Sequence, residues 1–195
     1  MKFDMISVIL QLGNDLLIIL GGQCMAIERA RFIEILEDAF SAYYDIVPQK
    51  EDQELPLAFS AQFHSRAEKY WITKSVPIWS NETNEYAYIF SAPTFDTEMV
   101  DKCVAFALED ALPQIKPHKE HQYSNVKTLF IADSADKAVR KHVQKLCYTK
   151  SYNHSFFGFT NLLTAVVDLS VSKAYPNRAG HDLTKFIGKL FAVRE

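Results

Sequence analysis

Val126-Lys127-Thr128-Leu129-Phe130-Ile131-Ala132 is almost continuously apolar, and so is Leu162-Leu163-Thr164-Ala165-Val166-Val167-Asp168-Leu169. A strand with one wet face alternates apolar and polar residues. A short unbroken apolar run reads instead as a strand covered on both faces. These two stretches therefore predict central strands of a sheet that carries helices.

The flanking sequence supplies the covering elements. Ile33, Leu36, Phe40, Tyr43 and Val47 recur at spacings of three and four, which predicts a helix over 27–46 that ends at Pro48. Leu57 to His64 alternates cleanly and reads as a strand. Ser65 to Glu68 reads as a turn, Lys69 to Trp79 as a second strand and Glu85 to Phe90 as a third, forming an antiparallel meander. Asp96 is placed to cap a helix reaching about Leu112, with Val100, Cys103, Ala107 and Ala111 in one stripe. Ser134 to Leu146 reads as a further helix. Tyr148 to Phe159 reads as a strand with a bend at Gly158, and Ser170 to Ser172 as a turn into a strand through Tyr175. Gly180 to Phe191 reads as a closing helix. The order is α-βββ-α-β-α-βββ-α. It predicts the α+β class, with a mixed, largely antiparallel sheet flanked by helices.

Composition sets the outer bounds. With 195 residues, 48% hydrophobic and 23% charged, the chain has the material for one packed domain and needs no disulfide or metal staple. Net charge is −3, which gives no general attraction to nucleic acid. Cys24, Cys103 and Cys147 are odd in number and form no Cys-x-x-Cys, so a reducing, cytoplasmic setting is the natural inference.

Residues 1–24 stand apart from 25–195, which read as a single α+β domain. Met5 to Leu20 is strongly apolar, but Gln11, Gly13, Asn14 and Asp15 interrupt it. An ionised Asp at the centre of a membrane span costs roughly 3 kcal/mol, so a span is not expected. Met25 opens a run that reads as the start of an ordinary helix. Two readings of 1–24 stay open: a translated leader that is not native, and an amphipathic helix packed on the domain.

Tyr70-Trp71-Ile72-Thr73-Lys74, then Asn84-Glu85-Tyr86, then Pro117-His118-Lys119-Glu120-His121 form a recognisable series. Val167-Asp168-Leu169 and Ala174-Tyr175-Pro176-Asn177 with Gly180 extend it. The series resembles a bacterial family of small proteins with a domain of unknown function, over about residues 27–190. The resemblance implies no activity and assigns no functional residue.

Chemistry-bearing residues are few and dispersed. His118, Glu120 and His121 lie within one turn's length and are the most metal-like cluster, although a third ligand from elsewhere is not indicated. Asp168 ends an apolar strand. It reads either as a ligand contact, with Asn177 and Arg178 across the next turn, or as a turn-capping residue. Trp71 and Trp79 share a face of their expected strand and could line a groove for a small molecule or a peptide, or simply pack the core. Gly-x-Ser-x-Gly, P-loop and dinucleotide motifs are absent, and no cofactor is called for. A restriction-endonuclease-like order of elements lacks the Glu-x-Lys or Asp-x-Lys strand that such catalysis needs. The leading expectation is a non-catalytic binding or interaction domain. The alternatives are a metal-assisted hydrolase or degenerate nuclease-like enzyme, and a homo-oligomer joined through the aromatic strands.

Overall fold

Among the described residues, seven strands form one mixed sheet between two helical layers. The computed structural model describes residues 27–47, 54–70 and 77–192, with side chains throughout except at 67–70 and 77–81. Residues 1–24, with both readings of them, fall outside the described residues.

Helix α1 (Arg29–Ser41) is shorter than the spacing predicts. The chain leaves it for a three-residue strand, β1 (Asp45–Val47), where the spacing predicts continued helix. Phe32, Leu36, Ala39 and Phe40 are the buried face of α1. Burying a Phe or Leu of this kind contributes about 1.5–3 kcal/mol, which exceeds what helix propensity supplies over so short an element.

Strands β2 (Leu57–Tyr70) and β3 (Pro77–Ala92) are long and pair antiparallel. The turn expected at Ser65–Glu68 is strand interior instead. Polar residues read as turn signals when their partners are unknown, yet here each finds one: Ser65 stands opposite Thr83 and Arg66 opposite Glu82. The order of three antiparallel strands is as expected, but the strands are not the expected three. β1 comes from the end of the stretch read as helix, and Lys69–Trp79, read as one strand, divides between the end of β2 and the start of β3, where Lys69 pairs with Trp79.

From β3 onward the connections are right for parallel pairing. Helix α2 (Thr97–Ala111) leads to β4 (His121–Ala132), and helix α3 (Lys137–Lys145) leads through β5 (Thr149–Ser151) to β6 (Phe159–Asp168). β4 lies parallel to both β3 and β6, which confirms it as a central strand. β5 and β7 (Lys173–Pro176) pair antiparallel with β6 at different points along it, and α4 (His181–Ala192) ends the fold. Asp96 caps α2 as expected, its carboxylate accepting the Met99 N–H at 2.7 Å. The cap of α3 is Asp136, not Ser134.

The sheet's two faces carry separate cores. On one face Tyr88, Phe90, Phe130 and Val166 pack beneath α2 and α3, whose buried stripe includes Val100, Cys103, Ala107, Val139 and Val143. On the other, Ala87, Ile89, Leu129 and Val167 pack beneath α1 and α4. Among the described residues no helix is long and apolar enough to cross a membrane.

Candidate functional site

The two cores occupy the end of the sheet toward which β3, β4 and β6 run. The opposite end, where β4 and β6 begin, is polar. Strand register sets His64, Asn84, Ser124 and Thr160 side by side in one row across β2, β3, β4 and β6. Directly opposed residues share a face, so this row lies on the α2/α3 side, one step beyond the apolar core. Asn84, Ser124 and Thr160 are all buried, at 4%, 0% and 0% exposure.

His121 joins them by a break in the pattern. On a regular strand, residues three apart face opposite sides. Glu82 pairs with His121 but Thr83 pairs with Tyr123, so β4 carries a bulge with Gln122 as the extra residue. The bulge turns His121 onto the face of Ser124, and its Nε2 lies 2.8 Å from the serine Oγ. The other ring nitrogen, Nδ1, is 2.7 Å from the Phe157 carbonyl oxygen. A carbonyl can only accept, so Nδ1 carries a proton; in the neutral ring Nε2 then carries the lone pair and the Ser124 hydroxyl donates to it. His121 is 3% exposed.

The loop between β5 and β6 holds this histidine. Gly158 has φ +76°, and a Cβ on it would stand 2.5 Å from the Gln122 carbonyl oxygen and 2.7 Å from His121 Nδ1. Only glycine fits so close over the bulge. Asn153, His154 and Ser155 are three successive residues in the left-handed region, with φ of 47°, 53° and 71°. Such backbone costs of the order of 1 kcal/mol or more per residue and is sustained only where the surroundings enforce it. Tyr152 OH meets Thr160 Oγ1 at 3.0 Å, and its ring lies 5.9 Å from that of His121. Phe156 at the loop's tip is 75% exposed.

A more open polar rim adjoins the buried group. His118 accepts the Glu120 N–H at Nδ1, 3.2 Å, so its Nε2–H donates to Glu82 at 3.1 Å. Asn84 Nδ2 donates to the other Glu82 oxygen at 3.2 Å, while its Oδ1 accepts from His64 Nδ1 at 2.8 Å. Burial pushes the Glu82 carboxyl upward, but the bonds from Asn84 and His118 and the nearby imidazoles outweigh it and hold the group below its ordinary range.

The residues singled out from sequence distribute as follows. His118 and His121 come together, with ring centres 6.4 Å apart, but they engage different partners. Glu120 turns away to Arg66 at 3.0 Å. Both nitrogens of each imidazole are already bonded, and among the described residues no three His, Cys, Asp or Glu side chains gather in metal-binding geometry. Asp168 is buried and accepts from the Ser170 hydroxyl at 2.6 Å; it precedes the short turn Leu169–Val171 without a side-chain bond to that turn's backbone. Asn177 is not its partner. Its amide donates to the Leu146 and Leu162 carbonyls and its oxygen accepts from the Thr164 N–H, tying β6 to the chain after β7. Trp71 lies outside the described residues, and of Trp79 only the backbone is described, paired with Lys69. Sequence reading passes over His64, Glu82, Asn84, Ser124, Tyr152 and Thr160. Strand register is what unites them, and the bulge that adds His121 leaves no motif.

A cavity of about 410 Å³ lies at the far end of the parallel strands, lined by Ile27 to Ala30, Asp133 and Leu169. It contains the Arg29–Asp133 ion pair at 3.6 Å and none of the row described above.

A family model described as "Domain of unknown function (DUF8052)" matches residues 28–189. The chain belongs to the DUF8052 family. The match spans α1 through most of α4, so nearly all of both cores and the whole polar end fall within the DUF8052 region. No curated protein and no solved structure matches the chain.

Proposed function

We propose that this DUF8052 chain is a binding domain whose ligand site is the polar end of the sheet, where β4 and β6 begin. The observation that carries the reading is the transverse row His64–Asn84–Ser124–Thr160, with His121, His118 and Glu82 set against it. Polar groups gathered in a sheet interior cost desolvation that apolar residues would not, and a fold has no need of so many in one place. Several donors and acceptors beside a strained loop are a common arrangement for recognising a small polar molecule.

Stability alone can test this, with no ligand in hand. Residues retained for binding are suboptimal for stability, whereas residues retained for the fold are not. His64 is exposed and His118 half-buried, so water can satisfy the partners left behind. The variants His64→Leu and His118→Phe are expected to keep or raise Tm. A fall of more than about 4 °C in each, roughly 1 kcal/mol or more for a domain of this size, would show that the rim serves the fold and would end the reading.

A further inference from the structure

The buried part of the same site has the parts of an acyl-transfer centre. We propose that Ser124 is a nucleophile and His121 its general base, acting on small carboxylic esters admitted when the loop from Tyr152 to Gly158 lifts. This rests on the reading of the polar end as a ligand site and adds a reaction to it.

Three features support it. The first is the Ser124–His121 contact, in which the unprotonated Nε2 faces the hydroxyl at 2.8 Å while the Phe157 carbonyl fixes the ring through Nδ1. A nucleophile, a base and a group that orients the base are the minimum set for activating a serine. The second is the neighbour across the ladder. Asn84 stands directly opposite Ser124, and its Nδ2 donates to Glu82 over a long 3.2 Å. That amide is placed to turn toward an oxyanion formed at Ser124. The third is the cover. The loop bonds mainly to itself, through Phe156 N–H to Asn153 O, Phe157 N–H to Tyr152 O and Gly158 N–H to Ser155 O. It is a preformed unit over a serine with no solvent exposure, and it carries three strained residues.

In the reaction, Ser124 Oγ bonds to the ester carbonyl carbon as its proton passes to His121 Nε2. The loop closes again over the bound ester before this step, so that the Phe157 carbonyl, which belongs to it, holds the resulting imidazolium. Collapse of the tetrahedral adduct breaks the carbon–oxygen bond to the alcohol, which leaves with the proton from Nε2. Water then attacks the acyl-Ser124, giving its proton to Nε2, and the serine recovers a proton as the carboxylic acid departs. The balance is ester and water to acid and alcohol, with no other reactant.

The full chain is treated with a fluorophosphonate, a serine-directed phosphonylating probe, and analysed by intact mass and peptide mapping. One adduct per chain, on Ser124, is the expected result. Ser124→Ala should lose it, and His121→Gln should slow labelling by about 100-fold or more. Short p-nitrophenyl esters should be hydrolysed by the wild type with the same dependence. If a variant fails to fold, the mapped site in the wild type still decides. An unlabelled wild type, or an adduct on another side chain, overturns the proposal. With rim variants that keep their Tm, that outcome leaves the binding reading standing and removes only the reaction.

Discussion

Lys127 is the one charged residue in an otherwise apolar central run, and the far side of the sheet explains it. Its Nζ donates to Glu85 at 2.5 Å and to the Tyr44 hydroxyl at 2.8 Å, and Tyr44 in turn donates to Glu85. The three side chains tie the segment after α1 to β3 and β4. Burial alone pushes the Glu85 carboxyl upward. The Lys127 charge, with hydrogen bonds from Lys127, Tyr44 and Asn125, reverses this and holds it below its ordinary 4.5. Burial, and then Glu85, raise the Tyr44 phenol, which stays protonated as a donor. A carboxyl whose folded pKa is depressed stabilises the fold above its unfolded value. That contribution is lost as pH falls through the lower, folded value. Wild type should therefore lose stability steeply below about pH 4.5. Glu85→Gln should be less stable at neutral pH by about 2 kcal/mol, since the lysine loses its counter-charge, and should show a flatter acid limb. Urea denaturation across this range measures both, and parallel curves for the two proteins would refute the assignment.

At the scale of elements, β4 and β6 are the best-determined part of the fold, yet each carries an unpaired group. Thr128 and Thr164 sit side by side beneath α2 and α3, fully buried, and neither hydroxyl has a hydrogen-bond partner among the described residues. A buried hydroxyl left unsatisfied costs about 1–3 kcal/mol, and valine keeps the branched shape that suits a strand. Thr128→Val and Thr164→Val should each raise the urea midpoint, by about 1 kcal/mol in stability. A loss of similar size would mean that these hydroxyls are bonded in solution. The same strands show what sequence can and cannot convey. Continuous apolar runs identify β4 and β6, and the Val100–Cys103–Ala107–Ala111 stripe with its Asp96 cap identifies α2, because burial and capping act locally on composition. The bounds of β2 and β3 escape such reading because Ser65, Arg66, Asn81 and Glu82 look like turn residues until their cross-strand partners are known. The candidate site is half visible: His118 and His121 stand out as a pair. Ser124, Asn84 and Thr160 belong to the site only through register, and His121 faces them only through a bulge. Neither is written in any local pattern.

The whole molecule is asymmetric along its strands. Toward one end both faces are sealed by helices over Ile89, Phe90, Leu129, Phe130, Ile131, Val166 and Val167, all buried to the last per cent. Toward the other, the same strands carry Glu85, Asn125 and Asn161 on one face and Asn84, Ser124 and Thr160 on the other. Apolar contacts are what raise the free energy of local opening, so the two ends should differ in dynamics although they share one hydrogen-bonded ladder. Native-state hydrogen exchange should find the amides of Leu129 to Ile131 and Val166 to Val167 opening only with global unfolding. Those of His121 to Ser124 and Phe159 to Thr160 should open at a lower free energy, together with the Tyr152–Gly158 loop. This gradient is what access to Ser124 requires, since a closed serine cannot meet a substrate unless the cover moves without melting the core. Uniform protection from end to end would leave Ser124 sealed in the native state, and both the loop motion and the reaction built on it would have to be given up.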